Sequence, residues 1–282
     1  MPMKFVDPKT DIAFKKIFGD QAHKNILIEF LNEMLELEYP IANVKITNSY
    51  QAPRLIGLKE SNLDIKAKDT SGREFIVEMQ VEKDQTFTKR ALYYSSKAYS
   101  QQLNKSEKYH LLKPVIFLGI LDFSIFDHPN PCSRHLILNS ETQSHDLKDL
   151  EFNFIELPKF TKTAAELTTV AEKWLYFLKQ ADDLQQIPPH ADTPALQQAY
   201  QIAAQHHWTQ EELDIYDSQG LRLGRSRNEL ETARLDGEAE GIRKGKLEVA
   251  KNLLANLDDA TIAQVTGLEA SLITRLRLGK QD

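Results

Sequence analysis

Residues 63–80 read LDIKAKDTSGREFIVEMQ, and apolar and polar side chains alternate here on either side of a turn sequence. Such alternation predicts two β-strands, Leu63 to Lys68 and Glu74 to Val81, because successive side chains of a strand point to opposite faces. The three residues TSG between them predict a tight loop, with Gly72 where a left-handed backbone is required. The stretch therefore predicts an antiparallel hairpin.

The register of this hairpin follows from keeping both sets of apolar residues on one side of the sheet. That register places Asp64 opposite Glu78, and two facing carboxylates repel each other unless a cation lies between them. Oxygen ligands of this kind suit Mg²⁺ or Mn²⁺, with several waters retained for substrate oxygens. Gln80 projects from the same face. The alternative is a solvated hairpin face that carries two unrelated acids, because this spacing is common.

Outside the hairpin, the hydrophobic spacing changes between helical and extended periods. The order is helix, strands, helix, strands, which predicts an α/β sheet with a covering helix. This α/β unit is predicted to end near Pro158. The predicted helices are a short one between its cap Asp11 and Gly19, one from Lys24 to Leu37 and one from Asp84 to Asn104; the further predicted strands lie near Val44 to Ile46, Val115 to Leu121, Arg134 to Leu138 and Phe152 to Leu157.

The remainder of the chain is predicted to be helical. The predicted domains are a core at 1–160, a helical extension at 161–219 and a tail at 220–282. Residues 220–251 contain five of the eleven glycines and fourteen charged side chains. Three of these glycines recur at intervals of four, which favours a helix face for a close contact; a charged, partly frayed linker helix is the alternative. Ala260 to Leu278 has the outline of a small helix-turn-helix.

Composition narrows the class of protein. Of 282 residues, 41% are hydrophobic and 27% are charged, which is typical of globular domains. We expect no membrane span and no export signal, and the single cysteine, Cys132, fits a reducing cytoplasm. The net charge is −6, so any contact with nucleic acid requires a locally basic surface.

A helix in the central region offers such a surface. Arg90, Tyr94 and Lys97 recur at helical spacing and could hold a DNA phosphate backbone with aromatic support, although a solvated helix face is an equal alternative. Asp11 and Lys15 share a face of the first helix, where a surface ion pair is the alternative to a functional role. Lys66, next to Asp64 on its strand face, could bring a positive charge to the carboxylates.

The pattern of Asp64 followed by Glu78-Met79-Gln80, on two strands between helices, resembles the core of PD-(D/E)XK nucleases. The wider sequence resembles the Rpn family of recombination-promoting nucleases and transposases over residues 3–160, and a glycine-rich charged tail is common in that family. The stretches that carry the resemblance are TDIAFKKIFG at 10–19, FLN at 30–32, LDI at 63–65, VEMQ at 77–80 and the basic, aromatic helix around Arg90, Tyr93 and Tyr94.

The resemblance implies a restriction-endonuclease-like mixed sheet flanked by helices and a metal-dependent DNA endonuclease that promotes recombination or transposition. It implies that Asp64 and Glu78 bind Mg²⁺ or Mn²⁺, that the Met79 carbonyl adds a ligand, and that Gln80 completes the catalytic set. Asp11 and Lys15 match the opening motif of the family. Gln80 departs from the superfamily pattern, which usually has lysine there, so water activation would fall on the metal.

Two further expectations concern partners. DNA is the expected substrate, and the C-terminal helices are expected to support a homo-oligomer. A catalytically silent DNA- or protein-binding module that retains the nuclease fold is the alternative to an active enzyme.

Overall fold

The computed structural model describes residues 3–47, 50–51 and 61–278. Its strands are β1 (Val44–Thr47), β2 (Tyr50–Gln51), β3 (Ser61–Asn62), β4 (Ile65–Asp69), β5 (Glu74–Gln80), β6 (Val115–Leu121), β7 (Cys132–Ile137) and β8 (Leu147–Glu156). Its α-helices are α1 (Asp11–Phe18), α2 (Lys24–Met34), α3 (Phe87–Gln101), α4 (Val170–Gln180), α5 (Pro194–Ala203), α6 (Gln210–Leu253), α7 (Asp259–Thr266) and α8 (Ala270–Arg277).

Six of the strands form one mixed sheet in the order β1-β4-β5-β6-β8-β7. Strands β5, β6 and β8 run parallel at its centre, while β4 pairs antiparallel with β5. The hairpin has the predicted register, with Ile65 opposite Val77, and Gly72 adopts a φ of +94° in its turn. The α/β prediction with a mixed, helix-flanked sheet is confirmed.

The two faces of the sheet are covered by different helices. Helices α1, α2, α4 and α5 share a core with Ile65 and Val77, and the fully buried rings in this layer include Phe14, Phe30, Trp174 and Tyr200. Helix α3 packs on the other face, where Phe87 joins Ile76. The alternation predicts that Leu63 shares a face with Ile65, but Leu63 lies in this second layer. The reason is that β4 begins only at Ile65, so Leu63 precedes the strand.

Several element boundaries differ from the predicted ones. Helix α2 ends at Met34, because Leu35 has an extended backbone with φ −110° and ψ 134°. Helix α3 begins at Phe87 and not at Asp84, whose carboxylate accepts the Thr86 N–H at 2.7 Å in the preceding turn. Asp11 is the first residue of α1 and Thr10 is its N-cap. These differences arise from local backbone geometry that hydrophobic spacing does not report.

The chain divides into two compact units, residues 1–221 and 222–282. In the first unit, Trp174 and Tyr200 belong to the same core as the sheet; the division expected at residues 160 and 219 stays a prediction. In the second unit, α7 and α8 join through Gly267, which has a φ of +67°, and bury Ile262 and Ile273.

Helix α6 is continuous through Gly237, Gly241 and Gly245. Among the described residues, nothing lies within 4 Å of a Cβ built at any of these glycines. Val265 on α7 is apolar but 64% exposed, so it lies outside this small core. The described part of the chain contains no helix with both the length and the apolar character that crossing a bilayer requires.

Candidate active site

Asp64 and Glu78 meet at the end of the hairpin that lies away from its turn. The Asp64 N–H donates to Glu78 Oε1 at 3.1 Å, and the Met79 N–H donates to Asp64 Oδ2 at 2.8 Å. Glu78 lies one step beyond the ladder pair of Ile65 and Val77. The hairpin register therefore brings together the two carboxylates that the sequence singles out, and one backbone N–H fixes an oxygen of each.

Burial and mutual repulsion shape the electrostatics of this pair. Glu78 is 5% exposed, and burial, followed by the charge of Asp64, raises its pKa to about 8. Burial also raises the pKa of Asp64, although the hydrogen bond from the Met79 N–H and the charge of Lys15 act in the opposite direction. Without a bound cation, the pair therefore tends to retain a proton near neutral pH.

Helix α1 contributes an ion pair that reaches the carboxylates. Lys15 Nζ lies 2.6 Å from Asp11 Oδ1 and 3.8 Å from Asp64 Oδ1. Burial works against the charged form of Lys15, but the hydrogen bond and charge of Asp11 raise its pKa, with help from Asp64. The expected surface ion pair exists, and it borders the candidate site.

The Gln80 side chain is hydrogen-bonded to a residue of helix α3. Its Oε1 accepts a hydrogen bond from Arg90 Nη2 at 2.8 Å, and its Nε2 donates to the Glu82 carbonyl at 3.1 Å. Arg90 Nη1 also lies 3.2 Å from Asp84 Oδ2. Thus both ends of the Gln80 amide are bound within the protein.

The other predicted residues contact neighbours other than Asp64 and Glu78. The Tyr94 ring lies 6.0 Å from the Arg90 guanidinium, whereas the Lys97 ammonium lies 5.8 Å from the ring of Tyr93, further along α3. Lys66 Nζ is 2.9 Å from Glu74 Oε2, towards the turn of the hairpin. The expectation that Lys66 brings a charge to Asp64 is therefore corrected, because a nearer carboxylate takes its ammonium.

The position of Arg90 beside Gln80 is not among the predictions from the sequence. One signal could have found it: a helix that follows a strand begins near the carboxyl end of that strand, so the first turn of α3 must lie close to Gln80. Gly119, the β6 partner of Glu78, permits a close approach. A Cβ at Gly119 would come within 2.8 Å of the Phe87 ring, so a larger residue would push the start of α3 away.

The donor set fits a hard divalent cation that has few protein ligands. Among the described residues, no group of three or more His, Cys, Asp or Glu side chains could hold a metal ion. Mg²⁺ is commonly bound by one or two carboxylates and keeps several waters, so Asp64 and Glu78 suffice. The like charge of buried Glu78 and partly buried Asp64, only partly offset by Lys15 and Arg90, favours a bound cation.

The mixed sheet, its flanking helices and the hairpin-borne acidic pair have the arrangement expected of a nuclease fold. The chain belongs to the PD-(D/E)XK nuclease family transposases, whose family model matches residues 8–233. This match confirms the resemblance drawn from the motifs and extends it beyond residue 160. No curated protein and no solved structure matches the chain significantly.

Proposed function

We propose that this protein is a metal-dependent endonuclease that hydrolyses DNA phosphodiester bonds, in recombination or transposition. The observation that carries the proposal is the partly buried contact between Asp64 and Glu78, with a backbone N–H bound to each carboxylate. Membership of a nuclease family supports the same reaction class. Together they favour hydrolysis of a nucleic-acid backbone at this end of the hairpin.

Each residue at the site would have a distinct role in the proposed reaction. Asp64 and Glu78 would hold Mg²⁺ or Mn²⁺, with the Met79 carbonyl as a further ligand. A cation bound there supplies charge stabilisation at the phosphoryl group and lowers the pKa of the attacking water. The backbone N–H groups keep the carboxylates oriented before the substrate arrives, so little reorganisation is required during the reaction.

DNA would approach along helices α1 and α3. Lys15 is nearly half exposed beside Asp64, and we assign the phosphate backbone to Arg90, Tyr94 and Lys97 on α3. Because the chain is acidic overall, this local basic surface would have to carry the electrostatic attraction. We therefore expect DNA affinity to fall steeply as salt is raised.

One observation favours the second candidate, a catalytically silent binding module. Both ends of the Gln80 amide are hydrogen-bonded within the protein, so Gln80 is not placed to move a proton as a lysine could. In that case the protein would bind DNA or a protein partner without cutting. A cleavage assay separates the two candidates.

The test uses supercoiled plasmid, purified full-length protein, and Mg²⁺ or Mn²⁺ with and without a chelator. We expect nicking or linearisation that stops with chelator and is lost in Asp64→Asn. Glu33→Gln, which removes an exposed carboxylate from α2, is the matched control and should cut normally. Binding without cleavage under every metal condition would establish the silent module instead.

We also propose that the second unit supports self-association. On α6 the side chains of Leu235, Ile242 and Val249 recur every seven residues and are each about half exposed, a spacing typical of helix pairs. The basic side chain of Arg277 in this unit is less available for DNA, because it binds Asp259 and the Leu254 carbonyl. Cytoplasmic location stays a prediction.

A further inference from the structure

The guanidinium of Arg90 is held from several sides at the edge of the carboxylate pair. Gln80 and Asp84 bind its two terminal nitrogens, and its carbon lies 5.1 Å from the Phe87 ring and 6.0 Å from the Tyr94 ring. Its side chain is about 30% exposed. A flexible side chain is thus fixed in one place while part of its surface still faces solvent.

Gln80 is built to hold this arginine. Because the Gln80 Nε2 donates to the Glu82 carbonyl, its Oε1 is turned towards Arg90 and accepts from Nη2. Gln80 shares its strand face with Glu78, two residues earlier, so the amide links the arginine to the strand that carries the acidic pair. Its orientation therefore serves the guanidinium and not a water molecule.

The surroundings of Arg90 are poorly explained by a purely structural role. Its Nε is buried and, within the described part of the chain, has no hydrogen-bond partner. Buried donors usually have a hydrogen-bond partner, so the unsatisfied Nε calls for an explanation, and a catalytic role is one of those known. Burial dominates the raised pKa values of Asp64 and Glu78, and the charge of Arg90 acts against it at both, so the guanidinium lies within electrostatic range of the pair.

We propose that Arg90 supplies, from helix α3, the positive charge that this superfamily usually places on the strand at the position of Gln80. The guanidinium would contact a non-bridging oxygen of the scissile phosphate, and Gln80 would be its positioning residue. This inference rests on the proposed endonuclease function. It also explains how a glutamine is tolerated there: the charge moved to the helix, and the amide became its support.

A double-variant cycle tests the relocation of the charge. Arg90→Gln removes the guanidinium and should lower kcat on a labelled DNA duplex about a hundredfold, with a smaller change in KM. Gln80→Lys alone should also lower kcat, about tenfold, because its ammonium would face the guanidinium where an amide oxygen now accepts. The variant that combines both changes restores one cation on the strand and should recover at least about tenfold over Arg90→Gln.

A second readout does not depend on cleavage. A guanidinium close to the carboxylates opposes a bound cation, so Arg90→Gln should bind Mn²⁺ about threefold or more tightly than wild type in calorimetry. Lys89→Gln is the matched control, because it removes an equal charge from the exposed neighbouring position of α3. Its Mn²⁺ affinity and kcat should equal those of wild type.

The possible outcomes separate this inference from the proposed function. If wild type cuts and Arg90→Gln cuts equally well, Arg90 is not the missing cation and the endonuclease proposal stands. If the combined variant is no better than Arg90→Gln, the relocation is wrong. If wild type binds Mn²⁺ without cutting, the endonuclease proposal fails. The position of the guanidinium beside the carboxylates is then tested only by whether Arg90→Gln binds Mn²⁺ more tightly than wild type. A wild type that neither cuts nor binds Mn²⁺ overturns both.

Discussion

Glu74 and Glu78 lie on the same face of β5, and they are 7% and 5% exposed. Their charged neighbours differ in sign: Glu74 faces cations, and Glu78 faces another acid. Glu74 faces Lys68 across the ladder and has Lys66 Nζ at 2.9 Å from Oε2. Glu78 instead contacts Asp64, another acid. Two glutamates on one strand are thus equally buried, while one is neutralised by the fold and the other is not.

The partners of the two glutamates separate a structural carboxylate from a candidate functional one. A buried carboxylate with a cationic partner is stabilised in the free protein and needs no further ion. A buried carboxylate opposite another acid is unfavourable in the free protein, and such perturbed groups are concentrated at functional sites. The carboxylate at the turn end of the hairpin therefore has its cation within the fold, whereas the pair at the far end has an unbalanced charge that the proposed cation would neutralise.

The largest expected effect follows from neutralising the acidic pair. Asp64→Asn or Glu78→Gln should reduce Mg²⁺-dependent cleavage by about a thousandfold or more, while stability in chelator stays equal or rises because a repulsion is removed. Plasmid cleavage and urea unfolding measure the two quantities. Glu74→Gln should do the opposite: it should retain cleavage per folded molecule and lose stability. Full Mg²⁺-dependent cutting by Asp64→Asn would remove the basis of the comparison.

The next effect is on stability at the turn end. Lys66→Met leaves Glu74 buried without its nearest cation and should lower the free energy of unfolding by about 2–3 kcal/mol. Lys68→Met is the control: its ammonium is 4.0 Å from Glu74 and nearly half exposed, so the loss should stay below about 1 kcal/mol. Unchanged cleavage per folded molecule is expected in both variants. A selective loss of cleavage in Lys66→Met would return Lys66 to the catalytic set.

A pH titration sharpens the same contrast. The pKa of Glu78 is about 8 in the folded state and near 4.5 when unperturbed, so the folded protein binds the proton more strongly. This contribution to stability is complete below the lower value and is lost as pH rises through the higher one. In chelator, Tm should therefore fall between about pH 5 and about pH 8.5.

Two variants identify the group responsible. Glu78→Gln should flatten this part of the Tm profile, whereas Glu74→Gln should leave it in place. Saturating Mn²⁺ should also reduce the fall, because a bound cation favours the ionised pair. An unchanged slope in Glu78→Gln would assign the pH dependence to another group.

The smallest effect on the site is expected from removing the second unit. A chain that ends at Leu221 keeps the contacts of Glu212, Tyr216 and Gln219 with the N-terminal segment. It should fold and retain wild-type Mn²⁺ affinity and the same pH dependence of Tm, while self-association is lost. Calorimetry and light scattering test this. A chain that ends near Pro188 should not fold, because it lacks the buried Tyr200 and Leu196.

Much of the hairpin was predictable because short-range rules govern it. Strand alternation and a three-residue turn set the register, and the register alone places Asp64 opposite Glu78. The side of the sheet on which Leu63 is buried was not predictable in this way, because it depends on where the ladder begins. The end of α2 likewise depends on the extended backbone at Leu35.

Local patterns in the amino-acid sequence were enough to predict the order of the elements, the hairpin with its two facing acids, and the nuclease family that the family model confirms. Which polar side chains meet depends on tertiary packing: Lys66 binds Glu74, Arg90 binds Gln80, and Lys15 lies beside Asp64. Tertiary packing also placed Trp174 and Tyr200 in the core of the sheet. The reason is physical, since periodicity describes one element at a time, whereas these contacts depend on how helices distant along the chain pack against the strands.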